Sequence, residues 1–301
     1  MKQVRVVHSS VAKVYNGEEI AGFIADIQAK SSQTLRYVVC DNGSTLKKAC
    51  RLSQLPQVSD VGHAMGRCLE KAFKKDERYQ NWSKAVSQWT YKGVNRTYAS
   101  LLPPKQRTIA RFMNTGPVVE WGMQVLCRFE KLPEEARLAF ADLPEHQPIL
   151  MELDAALDLA NAVAALLKTD GLCHENVEKC REMADEPVGK TTPERFKTAL
   201  LEYLDQLDEH VKNTKKRWNA SSDVIESMFG KRKAKDAGHP YVQSGIQVIE
   251  MPLFAWSEQD VHDKLQQAVE AVSIRQTNQW IDTQFVENQT VSRKKFFEKE
   301  G

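Results

Sequence analysis

With 301 residues and 42% hydrophobic content, the chain is long and apolar enough for one large or two ordinary packed domains. Forty-two basic and 40 acidic residues leave a formal net charge of +2, so the overall balance demands neither nucleic acid nor membrane as partner. No apolar run approaches the roughly twenty residues of a membrane span, which argues against a helical transmembrane protein.

The distribution of charge is more informative than its sum. Between Glu130 and Glu186 there are 14 acidic and 5 basic residues, whereas Lys212 to Lys235 holds 8 basic and 2 acidic. That asymmetry predicts one acidic solvating face and one basic face. The six cysteines are scattered without a C-x-x-C pair, and no secretory leader is evident, so a reduced cytoplasmic setting is expected. His174 lies between Cys173 and Cys180, but the spacing matches no common zinc ligand set.

In chain order, Lys2 to Val7 alternates like a strand and reads as a start inside a domain. Gly17-Glu18-Glu19 opens a helix with Ile20, Phe23, Ile24 and Ile27 at helical spacing. Leu35 to Cys40 reads as a short buried strand, ended by the turn Asp41-Asn42-Gly43, with Ser44 as the cap of a helix through Leu52. A second extended piece, Gln57 to Ser59, delivers Asp60 to another helix start. From there to about Trp218 the pattern is helical, broken at Pro103-Pro104, Gly116-Pro117, Pro133, Pro144, Pro148, Gly171 and Pro187 to Pro193. The stripes Leu150, Leu153, Leu157, Val163, Leu166, Leu167 and Phe196, Leu200, Tyr203, Leu204, Leu207 read as core faces. Beyond a helix from Ser221 come an extended Ile246 to Ile249, helices near Ser257 and Ile274, and a basic tail from Arg293 to Phe297.

Three places could carry chemistry. Asp41 follows a buried strand, where an open sheet presents side chains to a ligand, and Asp-Asn-Gly is equally an ordinary turn. Asp60 and His63 form Asp-x-x-His at a helix entrance, which a plain N-cap also explains. Glu226, in Ser221-Ser222-Asp223-Val224-Ile225-Glu226-Ser227-Met228-Phe229-Gly230, could close a capping box with Asp223. Basic residues flank it on both sides: Lys215, Lys216 and Arg217 before, Lys231, Arg232 and Lys233 after. They offer a phosphate backbone an electrostatic docking surface.

Taken together, the strand ending Val-Val-Cys-Asp-Asn-Gly, the Asp-Val-Gly-His element, a long helical block and Ile-Glu-Ser-Met-Phe-Gly-Lys resemble bacterial insertion-sequence transposases of the Asp-Asp-Glu type. The resemblance extends over nearly the whole chain, including Leu102 to Arg107 and Arg111 to Asn114. It implies an α/β fold: a ribonuclease H-like core, interrupted by a large all-α insertion, in a chain that is predominantly helical. Residues 1–63 would form the first part of that core, 64–220 the insertion, and 221–301 the glutamate helix, the return to the core and the basic tail.

By the same resemblance Asp41 matches the second catalytic aspartate and Glu226 the catalytic glutamate, together holding Mg2+ (or Mn2+), with Asp60 and His63 as supporting residues. The six basic residues Lys215, Lys216, Arg217, Lys231, Arg232 and Lys233 would bind DNA. The implied reaction is metal-dependent cleavage of double-stranded DNA at transposon ends and strand transfer into target DNA, carried out by a homo-oligomer on DNA in the nucleoid. No position matches the family's first catalytic aspartate, since Asp26 falls on the helix from Gly17. The expectation is therefore a chain truncated at its N-terminus, or, as the alternative, a non-catalytic DNA-binding remnant.

Overall fold

The computed structural model of the protein describes residues 14–105, 111–185, 191–235, 266–267, 270–276 and 278–279. These residues are mainly helical, with a single sheet of two short strands among them. None of their helices is long and apolar enough to cross a membrane. The chain divides into two compact units, one of Met1–Val38, Gly43–Pro56 and Ser222–Gly301, the other of Val39–Asn42 and Gln57–Ser221.

In the first unit, α1 (Gly17–Lys30) packs on α2 (Ser44–Leu52). Asn16 caps α1 reciprocally: its side chain accepts from the Glu19 backbone N–H at 2.9 Å, while its own N–H donates to the Glu19 carboxylate at 2.8 Å. Gly17 lets the two helices approach closely, because a Cβ there would lie 2.8 Å from the Lys48 side chain. Helix α2 is capped by Gly43, with no side-chain hydrogen bond, so Ser44 is its first helical residue and not the expected cap.

The strands are β1 (Val38–Cys40) and β2 (Gln57–Ser59). The strand predicted from Leu35 is thus only its last three residues; the polar Gln33 and Thr34 and the exposed Arg36 before it lie outside the ladder. Val38 N–H donates to the Pro56 carbonyl and Asp60 N–H to the Cys40 carbonyl, so the bonds advance in one direction along both strands, as in a parallel pair. Parallel strands require a crossover, and α2 is the segment that connects them.

The second unit is a helical assembly of α3 (Val61–Phe73), α4 (Glu77–Gly93), α5 (Gly116–Cys127), α6 (Glu134–Ala139), α7 (Gln147–Thr169), α8 (His174–Asp185) and α9 (Glu194–Val211). At its centre α7 touches α3, α5 and α8, while α9 packs on α3 and α8. Pro148 opens α7 at a position where no backbone N–H is needed. Of the predicted stripe, Leu150, Leu153, Val163 and Leu167 are buried, together with Ile149, Ala156 and Ala160, each large aliphatic stabilising by about 1.5–3 kcal/mol, whereas Leu157 and Leu166 are half-buried. The stripe on α9, from Phe196 to Leu207, is buried as its spacing predicts. Gly122 of α5 sits against Leu150, a Cβ there meeting the leucine methyls at 3.1 Å.

Two polar features fix the arrangement. Trp89 packs against Trp121, Phe140 and His146, and donates its indole N–H to Asp142 at 3.1 Å. Asp76 and Glu152 share Arg78 and Arg195, tying the start of α4 to α7 and α9, with the Arg195 guanidinium 4.5 Å above the Phe73 ring. An antiparallel bridge between Leu172 and Trp218 fastens the segment after α9 to the start of α8.

Helix α10 (Asp223–Lys235) belongs to the first unit. Its first intrahelical bond runs from Glu226 N–H to the Ser222 carbonyl, which places Ser222 at the cap position. Asp223 is therefore already helical, and the capping box expected between Asp223 and Glu226 has the wrong register. Near the C-terminus Ser273 and Gln276 exchange hydrogen bonds where the helix predicted near Ile274 begins. The predicted strands Lys2 to Val7 and Ile246 to Ile249, the helix start at Ser257 and the tail Arg293 to Phe297 lie outside the described residues.

Candidate metal centre

The two parallel strands end in step, and each is followed at once by an aspartate: Asp41 after β1, Asp60 after β2. Asp60 is the N-cap of α3, its Oδ1 accepting from the His63 backbone N–H at 3.0 Å. One helical turn then brings the His63 ring back over the cap, with Nδ1 at 3.1 Å from Asp60 Oδ1 and 3.2 Å from Asp41 Oδ1. Carboxylate oxygens accept, so Nδ1 donates to Asp60 Oδ1, with the Asp41 oxygen standing close beside the same nitrogen, and Nε2 is left as the second functional nitrogen of the ring.

The neighbouring groups hold this geometry. Asn42 accepts from the Ser59 hydroxyl at 2.8 Å and from Gln57 Nε2 at 3.4 Å, and the same Gln57 amide reaches the Asp41 carbonyl at 3.3 Å. Arg67, one turn further along α3 than His63, donates to the Asn42 carbonyl at 3.5 Å. The Asp41 turn is thus pinned from both β2 and α3. Gly62 leaves room for the cap, since a Cβ there would stand 3.2 Å from Asp60 Oδ1. Val61 N–H donates to the Ala220 carbonyl at 2.9 Å, and Tyr203 donates its hydroxyl to the Ser59 carbonyl at 3.4 Å. Burial, reinforced by the charges of Cys68 and Asp60, raises the Tyr203 phenol far above its ordinary range, so it acts as a hydrogen-bond donor.

The two carboxylates differ in access. The Asp60 side chain is 2% exposed and its Oδ1 already accepts twice, which suits a positioning role; the Asp41 side chain is 53% exposed. No protein-family model, curated protein or solved structure matches the chain.

Of the residues singled out in the sequence, then, the second unit brings together Asp41, Asp60 and His63. Glu226 is an exposed residue in the first turn of α10, in the first unit. Lys215, Lys216 and Arg217 are exposed on the segment between α9 and the Leu172–Trp218 bridge. Arg217 has a local task as well, donating at 3.4 Å to the carbonyl of Asp170, the C-cap of α7. Lys231 is exposed on α10, and the side chains of Arg232 and Lys233 lie outside the described residues.

The sequence contained one unused signal for the pairing: each strand is followed directly by aspartate. A second group went unnoticed. His174, Glu178 and Asp208 offer ligand atoms within 4.8 Å of one another, whereas the cysteines flanking His174 are buried. Burial pushes the Cys180 thiol up to about 12, which keeps it protonated and unsuited to metal. Arg181 bridges Glu178 and Asp205 and stands 3.8 Å from Asp208, so this group is already neutralised as an ion-pair knot joining α8 and α9.

Proposed function

We propose that the chain is the catalytic part of a DNA transposase of the Asp-Asp-Glu type, built on a ribonuclease H-like core, that cleaves and rejoins DNA strands by metal-dependent phosphoryl transfer. The observation carrying this reading is the convergence of Asp41 and Asp60, at the ends of adjacent parallel strands, on one imidazole nitrogen. Strand transfer chemistry needs carboxylates gathered at such a sheet edge, because divalent cations must be held near both the attacking and the leaving oxygen. Exposed carboxylate oxygens are the donors that Mg2+ and Mn2+ prefer, so the Asp41 side chain fits the group.

In this reading Asp41 and Glu226 hold Mg2+ (or Mn2+), which supplies charge stabilisation for the transferring phosphoryl group. Asp60 fixes the His63 ring, and His63 in turn faces one oxygen of the Asp41 carboxylate at 3.2 Å and so orients it. Glu226 enters through the sequence resemblance, on the helix that follows the helical block. Lys215, Lys216, Lys231, Arg232 and Lys233 dock the phosphates of double-stranded DNA without reading its sequence. A second reading, a DNA-binding protein without cleavage activity, is favoured by the His63 ring, which stands 3.2 Å from the Asp41 carboxylate oxygen and competes for it.

The test is calorimetric titration of the full chain with Mn2+, followed by nicking of supercoiled plasmid in Mg2+ or Mn2+. The expected result is metal binding weakened at least tenfold by Asp41→Asn and by Glu226→Gln, with nicking abolished in both. Unchanged Mn2+ binding in Asp41→Asn would overturn the metal assignment. DNA binding without metal-dependent nicking by the unaltered chain would replace the catalytic reading with the second one.

A further inference from the structure

Between Arg78 and Val119 the sequence has 42 consecutive residues with no Asp or Glu and seven Lys or Arg. At the chain's average acidic content of 40 in 301, such a stretch would hold about five or six carboxylates. The gap covers nearly all of α4 and the segment after it.

Positions Asn81, Lys84, Gln88, Tyr91 and Lys92 recur at intervals that place them on a single face of α4, and all are exposed, Tyr91 to 85%. The opposite face, with Trp82, Val86 and Trp89, is buried in the core. Gly93 ends the helix tightly, since a Cβ there would run into the Leu102 side chain, and in the turn that follows the exposed Arg96 donates its backbone N–H to the Gly93 carbonyl.

Lys84, Lys92 and Arg96 make no ion pair among the described residues. Elsewhere in the same unit Lys71, Lys74, Arg78, Arg137, Lys179, Arg181, Arg195 and Lys212 each face a carboxylate. The nearby acids are turned to other tasks. Glu77 starts the helix, Glu135 accepts from Thr97, and Asp142 accepts from the buried Trp89 indole.

The geometry points to the exposed face of α4, with Arg96, as a docking surface for the phosphate backbone of duplex DNA, separate from the basic residues named above. Unpaired cations spaced along a helix release counterions when they meet phosphates, and amide and phenol groups between them are the neutral donors that hydrogen-bond phosphate oxygens. Lys84 and Lys92 are eight residues apart, about 12 Å along the axis, a span comparable to the width of the DNA major groove. The inference rests on the DNA-handling part of the function proposed above and is independent of its carboxylates.

The experiment is fluorescence anisotropy of the full chain with a labelled 30-base-pair duplex, without divalent metal, over a series of salt concentrations. The variants are Lys84→Gln/Lys92→Gln/Arg96→Gln, Tyr91→Ala and, as the comparison, Lys215→Gln/Lys216→Gln. All of these positions are exposed, and circular dichroism checks that each variant is folded. The expected result is an affinity loss of at least tenfold at 0.1 M salt for the α4 triple variant. Its log–log salt slope should fall by up to about 2.7, some 0.9 for each phosphate contact removed. Tyr91→Ala should weaken binding with the slope unchanged. Wild-type affinity and slope in the triple variant would overturn the inference, while loss confined to Lys215→Gln/Lys216→Gln would overturn it and leave the DNA reading standing. If the unaltered chain bound a single-stranded RNA of equal length and not the duplex, both would fall.

Discussion

Asp60 joins the fold to the candidate site, and replacing it separates its two roles. Asp60→Ala removes an N-cap, worth about 1 kcal/mol, and one of the two carboxylates facing His63 Nδ1. Asp41 remains 3.2 Å from that ring nitrogen and can take over as its acceptor, so the second loss adds only about another 1 kcal/mol. A total of about 2 kcal/mol corresponds to a fall in Tm of about 4–8 °C for a unit of this size. Asp60→Asn keeps a side-chain oxygen for the His63 backbone N–H and loses only the charge, so its fall should stay under about 3 °C. Thermal melts followed by circular dichroism at 222 nm compare the two. A fall in Asp60→Asn equal to that in Asp60→Ala would refute the reasoning, because charge pairing and not capping would then carry the stability.

Asp76 gives a pH dependence. Burial raises its carboxyl, but hydrogen bonds from the Arg78 side chain and backbone and from Arg195 outweigh it and hold it at about 2, below the ordinary 3.8. A carboxyl depressed by folding stabilises fully above the unfolded value and loses that contribution as pH falls through the folded one; for this 7% exposed side chain about 2 kcal/mol should disappear between about pH 4 and pH 2. Urea unfolding should show Asp76→Asn less stable than wild type at pH 6 and the difference shrinking toward pH 2; a constant difference would rule this out. Gly171 sits at φ +79°, and a Cβ there would stand 3.0 Å from the Trp218 carbonyl that forms the bridge to Leu172. Gly171→Ala should therefore cost about 2 kcal/mol in guanidinium unfolding, and a neutral effect would show that the bridge can yield.

What could be read directly from the residues is what depends on neighbours close in sequence. The helix from Gly17, the buried faces of α7 and α9 and the strand at Gln57 to Ser59 follow from side-chain period, and the Asp60 cap from residue type beside it. Where the reading slipped, a local rule had two solutions one residue apart. Ser44 and Gly43 can both end a turn, Ser222 and Asp223 can both cap a helix, and only the path of the chain chooses between them.

The candidate site was legible as separate residues and not as a place. Nothing within Cys40-Asp41-Asn42 or Asp60-Val61-Gly62-His63 says that two carboxylates nineteen positions apart share one imidazole nitrogen. That depends on two strands running parallel and in step, a hydrogen-bonding choice made between segments and not within either. The same holds for charge. The sequence alone determined that acids are missing from Arg78 to Val119; the packing of Trp82, Val86 and Trp89 decided that Lys84, Tyr91 and Lys92 face solvent together, because burying one side of a helix commits the other to water.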